Sequence, residues 1–336
     1  MTARSWRWTR LIAGPALIAV ILWRLGTGPF ARGWHAVTPG AIVAAAALTA
    51  VTTVCAAWRW RIVARGLGLN LALGPAIAAC YRAQFLNSIL PVGIAGDVHR
   101  GAVHGRDAGT IGGGLRAVLW ERAAGQVVQL ALTVVALAAL PSPFQLTARV
   151  VLAVGAATAL TAWLILGLRR GSPNRASHAA SPEPTRAAHP VQTGRGRLIR
   201  TWHLALTDIR TGVLAPDTRT TILVTSMAVA VCQAGVFVVA IRATGVTADL
   251  VHVIPVALLV QAAAALPLSV AGWGPREGVA AAAFALVGWG APLGVEAGTI
   301  LGIIALVAVL PGAVVLAWGA ARVAPGPRAA LERVDG

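Results

Sequence analysis

Residues 90–97 read LPVGIAGD, and they place proline and glycine directly after an apolar run. A related octapeptide, LPLSVAGW, occupies residues 266–273 and repeats the leucine, proline, alanine and glycine in register, with conservative changes at two more positions. Charged residues follow each stretch: Asp97 the first, Arg276 and Glu277 the second. Because proline and glycine disfavour continuous helix, the sequence predicts two interrupted apolar helices, each beside charges.

The composition places these interruptions in a membrane protein. The chain has 336 residues, of which 57% are hydrophobic and 12% charged, and its mean hydropathy is +0.75. A soluble domain carries about 25% charged residues, so this chain has too few to cover a globular surface. The net charge of +17 comes from arginines that flank apolar segments. This is the positive-inside pattern of membrane proteins, and we expect no nucleic-acid partner.

Apolar segments of suitable length recur along the whole chain. A transmembrane helix needs about 20 mainly apolar residues. We therefore predict an all-α, polytopic integral membrane protein with about eight transmembrane helices. The candidate segments are Leu11–Pro29, Val37–Ala57, Leu71–Leu90, Ala117–Leu140, Val150–Leu168, Thr220–Ile241, Val251–Val270, the short Val279–Val287, and Gly298–Val323.

The arginines predict a topology. Arginines at 4–10, 59–65 and 100–116 all belong on the cytoplasmic side by the positive-inside rule. One crossing cannot join two cytoplasmic loops, so Leu71–Asp97 should enter and return on the same side as a re-entrant hairpin. Such non-helical backbone is tolerated only where protein or a water-filled cavity surrounds it. Both termini are then cytoplasmic, in the inner or plasma membrane.

The second octapeptide begins from the opposite side in this topology. Related sequences in opposite orientations are typical of inverted repeats, whose broken helices meet near the midplane at a binding site. The alternative is a chance match of four identities, and whether the second broken segment returns or crosses is left open. The predicted divisions are a membrane half at 1–168, a basic disordered cytoplasmic linker at 169–219, a second membrane half at 220–323 and a tail at 324–336.

Three acid–base sets next to the interruptions predict one polar pocket. They are Asp97 with Arg100, Glu121 with Arg122, and Arg276 with Glu277. Charges within a bilayer persist when they are paired or face an aqueous cavity, and we expect Asp97 to pair with Arg276, and Arg100 with Glu277. The alternative for Glu121 and Arg122 is an anchor at the cytoplasmic interface. Side-chain amides should add to the pocket: Gln84, Asn87, Gln126, Gln129, Gln233 and Gln261.

The N–H groups of a helix that restarts after such a turn favour an anion. Together with the arginines they predict a lipid with an anionic headgroup as the ligand. The sequence contains no Walker loop, no D-x-D pair and no Cys/His cluster with zinc spacing. We therefore expect no cofactor and no metal, and enzymatic activity is open but less favoured.

Three blocks in order, YRAQFLNSILPVGIAGDVHRGAVHGRDAG, VLWERAAG and LPLSVAGWGPREGVAAAAFALVG, resemble the lysylphosphatidylglycerol synthase transmembrane-region family, a flippase-like membrane family. The resemblance spans roughly Leu11 to Val323. It implies these substrate-binding residues: Asn87, Pro91, Gly93, Gly96, Asp97, Arg100, Glu121, Arg122, Pro267, Ser269, Gly272, Gly274, Arg276 and Glu277.

The resemblance also implies a function. In the best-known members this membrane module is fused to an aminoacyl-transferase domain and moves the modified lipid between leaflets. Only residues 324–336 follow the last apolar segment here, so we expect lipid binding and transbilayer movement without a fused transferase. The alternative is a membrane-embedded transferase, or its subunit, acting on a phospholipid or polyprenyl-phosphate substrate. A homo-oligomer or a separate synthase partner is open.

Overall fold

The computed structural model describes residues 19, 22–90, 93–154, 202–264 and 274–323, and every regular element in these ranges is a helix. A π-helical turn at Ile209–Val213 precedes the seventh helix. The helices are α1 Gly28–His35, α2 Pro39–Gly66, α3 Leu73–Ile89, α4 Ala95–Asp107, α5 Ile111–Ala139, α6 Gln145–Val154, α7 Pro216–Ala243, α8 Leu250–Ala264, α9 Pro275–Leu286, α10 Ala291–Ala308 and α11 Pro311–Val323.

Four helical stretches in the described part of the chain are long and apolar enough to cross a membrane. They are α2, α5, α7 and Ala291–Gly319, which joins α10 to most of α11. Each has 28 or 29 residues, more than the roughly 20 that a bilayer requires. The predicted all-α, polytopic membrane fold is confirmed. The predicted helix count stays a prediction, because most of the first and fifth apolar segments lie outside the described residues.

The first interruption follows from local chemistry. Leu90, the residue after α3, is extended at φ −90° and ψ 141°, as the residue before a proline tends to be. Gly93 then takes a φ of +64°, which glycine adopts without the steric penalty of a side chain. The helix cannot continue through these residues, and α4 starts at Ala95.

Helices α3 and α4 form an antiparallel hairpin around this break. A Cβ atom on Gly96 would collide with the backbone of Ala83, and the Arg100 Nη1 atom donates to the Cys80 thiol at 3.4 Å. Position 96 thus lies beside 83 and position 100 beside 80, so the chain returns toward the end from which it came. This is the re-entrant shape predicted for Leu71–Asp97; the side of the membrane stays a prediction.

Two ends of the helix bundle can be defined from α2 and α7, which run antiparallel. Gly66 meets Gly212, which immediately precedes α7, and Gly235 in the second half of α7 meets Leu48 in the first half of α2. We call the end where α2 finishes and α5 starts the proximal end. The end where α2 starts and α7 finishes is the distal end. The α3–α4 hairpin has its base at the proximal end.

The second hairpin, α8–α9, enters from the distal end. Helix α8 starts shortly after α7 has finished there, and its Gln261 donates to the Gln233 carbonyl in the middle of α7 at 2.5 Å. Helix α9 runs back, because Phe284 near its end lies 6.5 Å, between ring centroids, from Phe237 near the end of α7. The two hairpins therefore have opposite orientations, which is the arrangement expected of an inverted repeat.

Each hairpin continues through a tight turn into a long helix. Gly109, at φ +72°, lies in the turn between α4 and α5, and Gly288 and Gly290, at φ +82° and +91°, lie between α9 and α10. A Cβ on Gly114 in α5 or on Gly294 in α10 would collide with the preceding helix. The order of helix, break, helix, turn and long helix thus occurs twice.

The last predicted segment, Gly298–Val323, is wrong at its start and misses an interruption. Helix α10 begins earlier, at Ala291, and a turn at Val309 and Leu310 separates it from α11. Pro311 explains the break, since proline lacks an N–H group and clashes with the preceding helical turn. Gly312 follows and packs against the Tyr81 carbonyl of α3, where a side chain would not fit.

The predicted linker at 169–219 is described only from residue 202. Residues 202–208 are helical, and Asp208 accepts from Arg116 Nε at 2.8 Å and from the Trp120 indole at 3.0 Å. This end of the segment therefore packs against α5. The remainder of the linker and the tail at 324–336 lie outside the described residues, and the predicted domain boundaries stay predictions.

Candidate functional site

Gly93, at the break of the first hairpin, and Ala264, the last described residue of α8, line one polar cavity of about 330 Å³. This volume lies at the lower end of the range of about 300–1,000 Å³ typical of ligand pockets. Its walls come from α2, α3, α4, α5, α7, α8 and α10. All six of the predicted amides line it: Gln84, Asn87, Gln126, Gln129, Gln233 and Gln261.

Glu121 is the centre of a buried ion-pair network in this cavity. Its carboxylate accepts from Arg59 Nε at 3.0 Å and from Arg100 Nη2 at 2.6 Å. The three residues are 1%, 5% and 3% exposed, so their charges are removed from solvent. Such burial is stable only when each charge is paired and hydrogen-bonded, which Glu121 does for both arginines at once.

Asp97 extends the network to the break of the first hairpin. It accepts from Arg100 Nε at 3.0 Å, from Asn87 Nδ2 at 2.9 Å and from Arg122. The Asn87 side-chain oxygen, Oδ1, in turn accepts from the Gly96 N–H at 2.8 Å. One asparagine therefore ties the end of α3 to the first turn of α4 and orients Asp97.

The network has unequal numbers of the two charges. Among the described residues that line the cavity, the guanidinium groups of Arg59, Arg100 and Arg122 meet the carboxylates of Asp97 and Glu121, an excess of one positive charge. The side chains of Arg59 and Arg100 are 6% and 3% exposed, whereas that of Arg122 is 44% exposed. Arg122 is thus the cation most available to a ligand.

The charged pair of the second hairpin has a local arrangement. Glu277 accepts from Arg276 Nε at 2.9 Å and from the Gly274 N–H at 2.7 Å, and it is fully buried. Gly274 has a φ of +117°, a backbone conformation that requires glycine. The Glu277 carboxylate therefore caps the N-terminus of α9.

The predicted pairing between the hairpins is wrong for the described part of the chain. Asp97 and Arg100 pair with each other and with residues of α5, and Glu277 pairs with its neighbour Arg276. The reason is distance. Helix α5 packs along α4, so that Glu121 lies within ion-pairing distance of Arg100, and Arg122 within that of Asp97. The alternative that Glu121 anchors a helix at the cytoplasmic interface is also wrong, because Glu121 lies in the buried network.

The predicted site residues fall into four groups. The cavity is lined by Asn87, Gly93, Asp97, Arg100, Glu121 and Arg122. Gly96 packs behind the cavity wall against Ala83, and Gly274, Arg276 and Glu277 are grouped at the start of α9. Pro91, Pro267, Ser269 and Gly272 lie outside the described residues.

Arg59 and Ser226 are cavity residues that the sequence interpretation missed. Arg59 was counted as a marker of the cytoplasmic interface, but α2 continues to Gly66 and keeps it inside the helix bundle. Its Nη1 donates to the Ser226 hydroxyl at 3.1 Å. The signal that could have placed Arg59 inside the bundle is its position, nearly two turns before the end of α2. Within the residues that the structure describes, no cluster of His, Cys, Asp and Glu could hold a metal ion.

The cavity contains Asp97 and Arg100 of the first sequence block and Glu121 and Arg122 of the second. Residues 11–319 match the family described as Lysylphosphatidylglycerol synthase TM region. No curated protein and no solved structure matches the chain. Because the match covers most of the 336 residues, the chain belongs to the lysylphosphatidylglycerol synthase transmembrane-region family.

Proposed function

We propose that this protein binds a lipid with an anionic headgroup in the polar cavity and moves it between the two leaflets. The observation that carries the proposal is the excess positive charge of the cavity, presented on the half-exposed Arg122 between hairpins of opposite orientation. An anionic headgroup would balance that charge. Membership of a membrane family named for a lipid synthase is compatible with a lipid ligand.

The cavity suits a headgroup more than a hydrocarbon chain. A headgroup that leaves water loses its hydrogen bonds, and burying polar groups without replacing them is costly. The six amides can donate and accept hydrogen bonds around it. Arginine adds planar, bidentate recognition of phosphate. The polar lining would thus lower the barrier to carrying a headgroup across hydrocarbon.

The opposed hairpins support a mechanism of alternating exposure. The α3–α4 hairpin lines the cavity from the proximal side and α8 lines it from the distal side, so the two hairpins are suited to closing it in turn. Small movements of one hairpin relative to the four long helices would open the cavity to one leaflet at a time. Inverted repeats with broken helices at the midplane work in this way in other transport proteins.

Lipid movement in vesicles tests the proposal. The protein is reconstituted in phosphatidylcholine vesicles that carry a fluorescent phosphatidylglycerol, and a membrane-impermeant quencher reports the headgroup in each leaflet. Arg122→Gln should slow the movement by about tenfold or more, as expected for losing one charged hydrogen bond. Arg219→Gln is the matched control, because Arg219 is exposed at the start of α7; it should keep the rate of the unaltered protein.

Two outcomes would contradict the proposal. The first is that vesicles with the protein move the lipid no faster than empty vesicles. The second is a covalently altered lipid that forms only when an activated donor is supplied, since this would favour the alternative transferase. Mass spectrometry of the recovered lipid separates unmodified movement from chemical conversion.

A further inference from the structure

A second space lies on another face of α3, outside the polar cavity. It is a groove of about 830 Å³ along α11. Arg82 is the one charged residue among the described residues that line it. The other lining residues are Leu310, Pro311, Val314, Val315, Trp318 and Gly319.

Arg82 has no counter-ion in the described part of the chain. Its Nε atom is buried without a hydrogen-bond partner, and the ion pairs there involve other residues. An arginine in apolar surroundings is retained when an anion is available to it.

The groove lies at membrane depth. Gly312 packs against Tyr81, the neighbour of Arg82, and belongs to the membrane-spanning stretch Ala291–Gly319. From that level the groove follows α11 past Val314 to Trp318, which are 63% and 62% exposed. The positive charge of Arg82 suits a phosphate group, and the apolar residues of α11 beside it suit an acyl chain.

We infer that this groove binds an anionic phospholipid of the surrounding membrane, with its phosphate on the guanidinium group of Arg82 and an acyl chain along α11 toward Pro311 and Leu310, the end of the groove farther from the membrane surface. The groove and the cavity are neighbours across the α10–α11 break, because Val309 lines the cavity and Leu310 lines the groove. A lipid in the groove lies beside the cavity without entering it. The site stands on its own contacts and does not require that the protein moves lipids.

Quenching of Trp318 by brominated acyl chains tests this site. The full chain is reconstituted in phosphatidylcholine vesicles with a minor fraction of either brominated phosphatidylglycerol or brominated phosphatidylcholine. The Trp318 emission is the difference between the unaltered protein and Trp318→Phe. We expect about fivefold enrichment of the anionic over the zwitterionic lipid at Trp318, the ratio for one basic residue at an anionic membrane surface.

Four variants decide the assignment. Arg82→Gln should abolish the preference, whereas Arg82→Lys, which keeps the positive charge, should retain part of it. Arg219→Gln should keep it in full. Equal quenching by both lipids, or a preference that survives Arg82→Gln, overturns the inference, and so does equal loss in the Lys and Gln variants. Arg122→Gln should keep the preference while slowing lipid movement, so failure of the cavity proposal is distinguishable from failure of the groove.

Discussion

The first hairpin, α3–α4, sends its charges to other helices, whereas the second, α8–α9, keeps its charged pair on one helix. Asp97 and Arg100 pair with residues of α5, and through Glu121 they reach Arg59 of α2. In the second hairpin, Glu277 pairs with Arg276 and with the Gly274 N–H. The charged residues next to the break therefore join several helices in the first half, whereas those in the second half stabilise the start of one helix.

This difference suggests separate roles for the two halves. A network that joins α2, α4 and α5 holds charged groups around the cavity at fixed distances, as ligand binding requires. The charge pair of the second hairpin lies within the first turn of α9. In the described part of the chain, no ion pair joins the two hairpins. The second hairpin can then move relative to the first without breaking any ion pair between the described residues.

The largest expected effect is that of Glu121→Gln. The change removes the carboxylate that serves both Arg59 and Arg100. Both arginines would remain buried with a smaller share of negative charge. Breaking a buried ion pair costs about 3–5 kcal/mol, and we expect a loss of unfolding free energy in this range, measured by denaturant unfolding in detergent.

Glu277→Gln is the matched change in the second hairpin. It removes the carboxylate from one arginine, Arg276, and from the Gly274 N–H, whereas Glu121 serves two arginines, so the loss should be smaller, about 1.5–3 kcal/mol for a hydrogen bond to a charged group. Equal losses in the two variants would remove the contrast between the shared network and the local pair.

Gly96→Ala should have an intermediate effect. A Cβ at this position would collide with the Ala83 backbone, which cannot move aside as a flexible side chain can. Overpacking of this kind costs about 1–3 kcal/mol. Gly74→Ala on the same hairpin is the control, because a Cβ there meets nothing within 4 Å. Unchanged unfolding temperature in Gly96→Ala would show that the hairpin is packed less tightly than described.

The smallest effect concerns coupling between the hairpins. A double-mutant cycle of Asp97→Asn with Arg276→Gln should give a coupling free energy below about 0.5 kcal/mol, the scatter of independent sites. The cycle of Asp97→Asn with Arg122→Gln should exceed that value, to about 1 kcal/mol, since the pair is in contact but Arg122 is half-exposed. Strong coupling of Asp97 to Arg276 would restore the pairing predicted from the sequence.

Local properties of the sequence were enough to predict the fold class and the first interruption. Low charge and long apolar runs identify a membrane protein. Leu90 is extended because a proline follows it. The re-entrant shape followed from the arginines between apolar segments, and the polar amides were recognised as neighbours of the charges. These inferences concern backbone preference and solvation, which each segment carries without its partners.

The tertiary structure decided which charges meet. Arg59 pairs with Glu121 across 62 positions of sequence, and that pairing depends on where α2 ends and on how α4 and α5 pack through glycine. Arg82 and Arg100 lie on the same hairpin, yet one faces an apolar groove and the other a buried carboxylate. An ion pair depends on distances of a few ångströms between side chains, and packing of the helices alone determines those distances.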